Sequence, residues 1–395
     1  MGALQLRSFF LGGFECSTHR LRTGQRLDLL ASTRHAELFA EDYRRLQEQG
    51  ICSARSGIRW HLIETSPYRY DFSSVLPMVK AANQTGTQII WDLFHYGWPD
   101  GLDIFRPQFV DRFAALAAAF AQLLVDESDA APLLTPVNEI SYFSWAAGEV
   151  GYMNPFAHGR GLELKTQLVR AAIAAMEAVW DVAPEAQFLH AEPLIRVVEH
   201  PTRPQDRLAA EAYSHSQFQA WNMLMGREWP QLGGEDKYVS NLGLNYYPSN
   251  QWIYHGRKLR RTEDIYQPLR ELLVDMYAHF QRPIVISETG TEGRDRPHWL
   301  NYVLDEVNSA MQEGVPIEGV CLYPILNHPG WDNDRHCTNG LWDYADDEGN
   351  RQIYKPLADE LQFQQQRFGA SAPAADGEAE PQRQLAWSMG IDREA

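Results

Sequence analysis

Short apolar runs alternate with longer amphipathic stretches along nearly the whole chain. The runs are "SFFLGGF" (8–14), "ICSARSGIRW" (51–60), "TQIIWDLF" (87–94), "PLLTPVNE" (132–139), "AQFLHAEP" (186–193), "YVSNLGLNYY" (238–247), "RPIVISETG" (282–290) and "IEGVCLYPI" (317–325). They are brief, apolar and β-branched, and they do not alternate apolar with polar. Strands buried on both faces look like this, because a parallel sheet covered by helices exposes neither side. Between the runs, apolar residues recur with helical period. Residues 35–50 place Leu38, Phe39, Tyr43 and Leu46 on one face and stop at Gly50. Residues 163–182 do the same with Leu164, Leu168, Ala172, Ala175, Met176 and Val179. Further helices are predicted near 73–85, 107–127, 206–226, 265–280, 297–313 and 355–367.

Eight strand-like runs, each followed by a helical segment, predict an α/β protein: a single (β/α)₈ TIM barrel over residues 1–368 with long βα loops. A doubly wound open sheet is the rival. It normally carries a Gly-rich phosphate turn after its first strand, and "LGGFECSTH" is not G-x-G-x-x-G. From 369 to 395 the composition shifts to Ala, Pro, Gly and Glu, which predicts a flexible extension. The "LAWSMGI" stretch within it is an isolated apolar patch of a kind that usually has no role.

Composition narrows the partners. With 44% hydrophobic residues in 395, the chain can bury a sizeable core. The formal net charge of −17 leaves no positive field for nucleic acid or an anionic membrane surface. The 4 cysteines, Cys16, Cys52, Cys321 and Cys337, form no close pair, so neither a disulfide framework nor a zinc site is expected. The N-terminus lacks the pattern of a secretory signal, and no apolar run approaches the roughly 20 residues of a membrane span. A soluble, cytoplasmic protein is expected, with no cofactor; the oligomeric state is left open.

In a barrel, chemistry sits at the C-terminal ends of the strands. Those ends carry Glu15; Arg55, with Arg59 and Trp60 beyond; His95, with Tyr96 and Trp98; Asn138 and Glu139; Glu192; Asn245 and Tyr246; Glu288; and Tyr323. Glu192 reads as an ordinary loop carboxylate. Glu139 and Glu288, ending the fourth and seventh strands, form the pair of carboxyls that glycoside hydrolysis requires, one protonated and one ionised. Phe143 and Trp145 beside Glu139 favour its neutral form by desolvation. A cation such as Arg55 and a hydroxyl such as Tyr246 would hold Glu288 ionised, and Asn138 suits a sugar 2-hydroxyl. In "HPGWDNDRHC", His328, Asp332, Asp334 and His336 lack the helical histidine spacing of a metal site, so a sugar-contacting loop is expected there and no metal.

Five collinear motifs across residues 9–360 resemble the retaining β-glycosidases of clan A, and among them the family 1 glycoside hydrolases. "TPVNEIS" resembles that family's Thr-x-Asn-Glu-Pro and "VISETG" its Thr-Glu-Asn-Gly. "ARSGIRW" resembles Arg-Phe-Ser-Ile-Ser-Trp, "LFHYGWP" resembles Leu-x-His-Trp-x-x-Pro, and "LGLNYY" resembles Leu-Gly-Ile-Asn-Tyr-Tyr. The resemblance implies Glu139 as acid/base and Glu288 as nucleophile, with Arg55, Asn138 and Tyr246 in support. It makes His95 and Asn245 sugar ligands, acting on a small β-glycoside or oligosaccharide. Ile140 replaces the family's proline and Thr289 its asparagine. The loop after strand eight, "LYPILNHPGWDNDRH", replaces the family's sugar-gripping segment, with Tyr323, Trp331 and Asp332 as stand-ins. Glu15 or His19 stands for its N-terminal glutamine. An endo-acting relative, a transglycosidase and a non-catalytic carbohydrate-binding protein use the same frame and stay open at this point.

Overall fold

Each of the eight apolar runs forms a strand in the computed structural model, which describes residues 4–333 and 335–371. The strands are β1 (Phe10–Gly13), β2 (Ser53–Gly57), β3 (Gln88–Phe94) and β4 (Leu133–Val137). They continue with β5, in two pieces (Gln187–Phe188 and His190–Pro193), β6 (Leu242–Asn245), β7 (Ile284–Thr289) and β8 (Ile317–Leu322). Every neighbour pair is parallel, and β8 returns to β1 through Phe10↔Val320, which closes the barrel.

The intervening helices are α1 (His35–Glu48), α2 (Leu76–Thr85), α3 (Pro107–Glu127) and α4 (Gly161–Val182). Then come α5 (Arg207–His215 and Gln219–Leu224), α6 (Leu269–Phe280), α7 (Arg296–Gln312) and α8 (Lys355–Ser371). The single helix expected over 206–226 is broken. Serine side chains there bond to backbone instead: Ser214 Oγ accepts from Val197 N–H at 2.7 Å, and Ser216 Oγ donates to the Tyr213 carbonyl at 2.6 Å. The last helix runs to Ser371, past the boundary expected at 369. Residues 372–395, with the Leu-Ala-Trp-Ser-Met-Gly-Ile patch, lie outside the described residues. By length and composition α3 could cross a membrane. Here its buried face packs into the barrel wall, with Phe109 and Phe113 against Trp60 and Phe94.

Two cores result. Leu11, Ile90, Leu133, Leu189, Val285, Cys321 and Tyr323 fill the bore, and a larger cluster fills the space between sheet and helices. All four cysteines are free. Alternation along β7 puts Val285 in the bore and Ile284 and Ile286 in the outer core. Glu288, an odd number of residues beyond Val285, would then point outward. A register irregularity between Ile286 and Thr289 breaks the alternation and re-aims it at the barrel mouth.

Gly13 ends β1 directly beneath the Tyr323 ring. A Cβ there would lie 2.0 Å from Tyr323 Cδ2, and the ring is buried with no room to retreat. Gly13→Ala is therefore expected to destabilise the fold by about 1–3 kcal/mol, read as a lower denaturant midpoint. An unchanged midpoint would contradict this packing.

Candidate active site

Glu139 stands where β4 leaves the barrel and the chain turns into the short helix Ile140–Phe143. Its backbone is left-handed, φ 48° and ψ 61°. That conformation costs a non-glycine residue about 1–3 kcal/mol and persists only where the surroundings enforce it. The Glu139 N–H donates to the Ala191 carbonyl on β5 at 2.8 Å, which holds the turn. The carboxyl then faces inward. Oε1 accepts from Asn245 Nδ2 at 2.9 Å, and Oε2 accepts from the Tyr96 hydroxyl at 2.9 Å.

Glu288 lies across the mouth, 5% exposed. Its Oε1 accepts from Arg55 Nη1 at 3.0 Å and its Oε2 from the Tyr247 hydroxyl at 2.8 Å. This corrects the expectation for Tyr246. Asn245 faces inward to Glu139, so its neighbour Tyr246 points outward, stacks on Trp299 and bonds to the Tyr266 hydroxyl at 2.6 Å. One residue further on, Tyr247 turns back to the site. Period-two alternation was legible in the Asn-Tyr-Tyr sequence and would have selected Tyr247.

Arg55 is 1% exposed and its donors are all engaged. Nη2 reaches Asp92 Oδ2 at 2.7 Å and Asn138 Oδ1 at 3.0 Å; Nη1 also reaches the Ser287 carbonyl at 2.9 Å; Nε lies 3.4 Å from Asp92 Oδ1. Asn138 Nδ2 donates to the Tyr96 hydroxyl at 3.1 Å. Arg55, Asn138 and Tyr96 thus form a continuous chain from Glu288 to Glu139.

Burial raises both carboxyls. Glu288 is pushed up to about 7: burial leads, the Arg55 guanidinium opposes it, and the Glu139 charge adds to it. Glu139 is raised by burial and by the nearby Glu192 charge, while the Asn245 and Tyr96 donors pull against that. Arg55 therefore does not keep Glu288 in the ordinary carboxylate range as expected. The pair titrates together and can hold a proton near neutral pH.

His95 is buried. Its Nδ1 is 2.9 Å from Asp92 Oδ2, and its Nε2 is 3.6 Å from Glu15 Oε1. Burial disfavours its charge, yet the hydrogen bond to Asp92 and the nearby Glu15 carboxylate favour it, and its pKa is raised well above the usual histidine range. Glu15, lowered despite burial by His95, His328 and Ser17, accepts from Ser17 N–H at 2.9 Å. Cys16, Asp92 and His95 lie close enough to share an ion. The donors do not fit one: Asp92 Oδ2 already accepts from both Arg55 and His95, and burial raises Cys16 to about 11, leaving it a thiol.

A cavity of about 900 Å³ opens onto this cluster, with Glu15, His95, Asn138, Glu139, Glu288 and Trp331 in its wall. Four other expected ligands fall elsewhere. Tyr323 is in the bore below, its ring parallel to His95 and under the Arg55 guanidinium. The Asn245 amide is consumed by Glu139 and by Ser287 Oγ, which donates to its Oδ1 at 2.6 Å, so it orients the carboxyl. His19 is buried behind Trp331, edge to face. Asp332 is exposed on the rim and accepts from the Tyr152 hydroxyl. Tyr96 and Asp92 complete the cluster. Tyr96 stands where the resembled motif has tryptophan, just past the end of β3, and its place at the strand end was the signal that could find it.

Glu192 also departs from expectation. It is 2% exposed and accepts from Ser141 N–H at 3.0 Å, beside Glu139 in the chain's return from β4.

No protein-family model and no curated protein matches the chain. Solved structures do. The family 1 β-glucosidase from Thermotoga maritima superposes with a TM-score of 0.73 at 14% identity, over 91% of this chain and 97% of that one. A Thermotoga maritima β-glucosidase in complex with glucoimidazole gives 0.74 at 14%, over 92% and 98%. The AHE enzyme from Alicyclobacillus herbarius gives 0.71 at 16%, over 86% and 87%. The fold is theirs. At such identities the shared property is the TIM barrel itself, spanning nearly the full length of the glucosidase.

Burial pushes Glu192 up to about 7, above the ordinary glutamate value near 4.5. Native Glu192 then holds a proton that the unfolded chain releases, so this group's contribution to stability falls as pH rises from about 4.5 to about 7. Glu192→Gln is expected to gain on the native sequence across that window by a few kcal/mol on the order-of-magnitude scale, measured by denaturant titration at pH 5 and pH 8. An equal difference at both pH values would contradict the assignment.

Proposed function

We propose that the protein is a retaining β-glycosidase that acts from a pocket on small β-glycosides or oligosaccharides, without a cofactor. One observation carries the proposal: two buried carboxyls at the barrel mouth face one cavity, and each is held by two dedicated donors. Glu288 is the nucleophile. Arg55 and Tyr247 orient it and favour its ionised form. Glu139 is the acid/base.

In the first step a Glu288 oxygen bonds to the anomeric carbon as the glycosidic C–O bond breaks. The Glu139 proton passes to the departing oxygen. The resulting Glu139 carboxylate is met by the Asn245 and Tyr96 donors, which stabilise the charge that burial opposes. In the second step Glu139 takes a proton from water, the water oxygen bonds to the anomeric carbon, and Glu288 leaves. His95, Asn138, Glu15 and Trp331 surround the sugar. Asn138, in the cavity wall, is the residue assigned to the sugar 2-hydroxyl.

The exo-action we propose calls for a wall on the sugar side of the cavity. The contact of Asp332 with Tyr152 joins the loop after β8 to the loop after β4, and Trp331 lies beneath it against Tyr96 and Tyr142. That bridge supports a wall on the side where a polymer cleft would continue.

Removing the nucleophile while leaving space for a small anion tests the reading. Glu288→Gly is expected to lose turnover of activated aryl β-glycosides by several orders of magnitude, and added azide or formate to restore it as an external nucleophile. Undiminished activity of the variant without additive would sink the proposal.

A further inference from the structure

We infer that the aglycone end of the cavity takes a carboxylate on an aromatic leaving group, with Lys165 as its counter-charge; this rests on the glycosidase reading for what is bound at the other end. The cavity continues from Glu139 past Trp145, Leu162, Ile195, Tyr213 and Trp252. Trp145 and Leu162 are 42% and 48% exposed, and both lie in this wall. A flat apolar group fits such a surface.

Lys165, in the second turn of α4, lines the same wall and is 8% exposed. An ammonium has three protons to place. One reaches Gln219 Oε1, a neutral amide, at 2.9 Å. Among the described residues no carboxylate lies within ion-pair distance of it. Glu192 and Glu228 act on it only from further away, and Glu192 is itself engaged by Ser141 N–H. Burial accordingly lowers the Lys165 pKa, as it does for a cation whose lost hydration is not replaced. Were Lys165 present only to neutralise Glu192, the two would be expected in contact.

Two lysines, Lys165 and Lys258, against one carboxylate, Glu149, give the lining of this end a small positive excess. Lys258 lines it and is exposed. Glu149 also lines it as an exposed carboxylate, and its Oε2 accepts from Gly161 N–H at 3.1 Å at the start of α4. Glu15, Glu139, Glu288 and His95 belong to the sugar end. An aromatic acid glycosylated on its hydroxyl would place its ring on the Trp145 wall and its carboxylate on Lys165. The anion would supply the charged acceptor that Gln219 does not.

The test compares binding of 4-hydroxybenzoate and its neutral analogue 4-hydroxybenzyl alcohol to the full chain, by calorimetry at pH 6. The native protein is expected to prefer the carboxylate about tenfold, the effect of one charge-assisted hydrogen bond. Lys165→Met should erase the preference and Lys165→Arg should retain most of it. Equal binding of the two compounds, no binding of the carboxylate, or an undiminished preference in Lys165→Met would overturn the proposal. Hydrolysis of the matching 4-carboxyphenyl and 4-hydroxymethylphenyl β-glycosides separates the two readings. Preference in binding without hydrolysis of either supports the carboxylate site and counts against the glycosidase. Hydrolysis of both with no preference does the reverse.

Discussion

The buried guanidinium of Arg55 is the interaction on which the site depends. It is rooted in β2 and touches Asp92 of β3, Asn138 after β4, and Ser287 and Glu288 of β7. A buried cation is costly unless its donors are satisfied and its charge balanced. Arg55 meets both conditions across the bore, with Asp92 and Glu288 as counter-ions. The same bonds fix where the carboxylate of Glu288 points and where the Asn138 amide lies. Asn138 positions Tyr96, and Tyr96 holds Glu139. One residue therefore sets the relative placement of two carboxyls on opposite sides of the mouth.

Backbone irregularities do the rest. A regular β7 would turn Glu288 toward the helices, and the irregularity before Thr289 brings it into the mouth. A regular turn after β4 would not aim Glu139 inward, and its left-handed backbone does. These departures from ideal geometry sit at the two carboxyls, which is where a fold is expected to store strain for use.

Much of this was legible in the sequence for a definite reason. Strands buried on both faces must be short and apolar, so their ends stand out as the first polar residues. Reading those ends located Glu139, Glu288, Arg55, Asn138, His95 and Glu15, all of which converge on the mouth. The failures have physical causes. Tyr246 and Tyr247 lie just past the end of β6, where the Asn-Tyr-Tyr sequence separates them only through alternation from Asn245. Glu192 reads as an ordinary loop carboxylate because its burial comes from neighbouring elements and leaves no local pattern. Tyr323 keeps the bore-facing side of Cys321, two residues before it, His19 is buried against Trp331, and Asp332 lies in a loop after β8 with its own small hairpin, His328–Pro329 with His336–Cys337, which apolar periodicity does not encode. The same holds for the aglycone wall, assembled from Trp145, Leu162, Tyr213 and Trp252, residues from four separate segments.

The central claim is that Glu288 bonds covalently to a sugar while Glu139 supplies the proton. The most direct measurement is incubation with a 2-deoxy-2-fluoro β-glycoside bearing a good leaving group, followed by intact-mass and peptide mass spectrometry. The account predicts a single added fluoroglycosyl group on the peptide containing Glu288, with loss of activity in step with labelling. A label on another residue, or turnover of glycosides with no covalent species under conditions that trap it, would contradict the account.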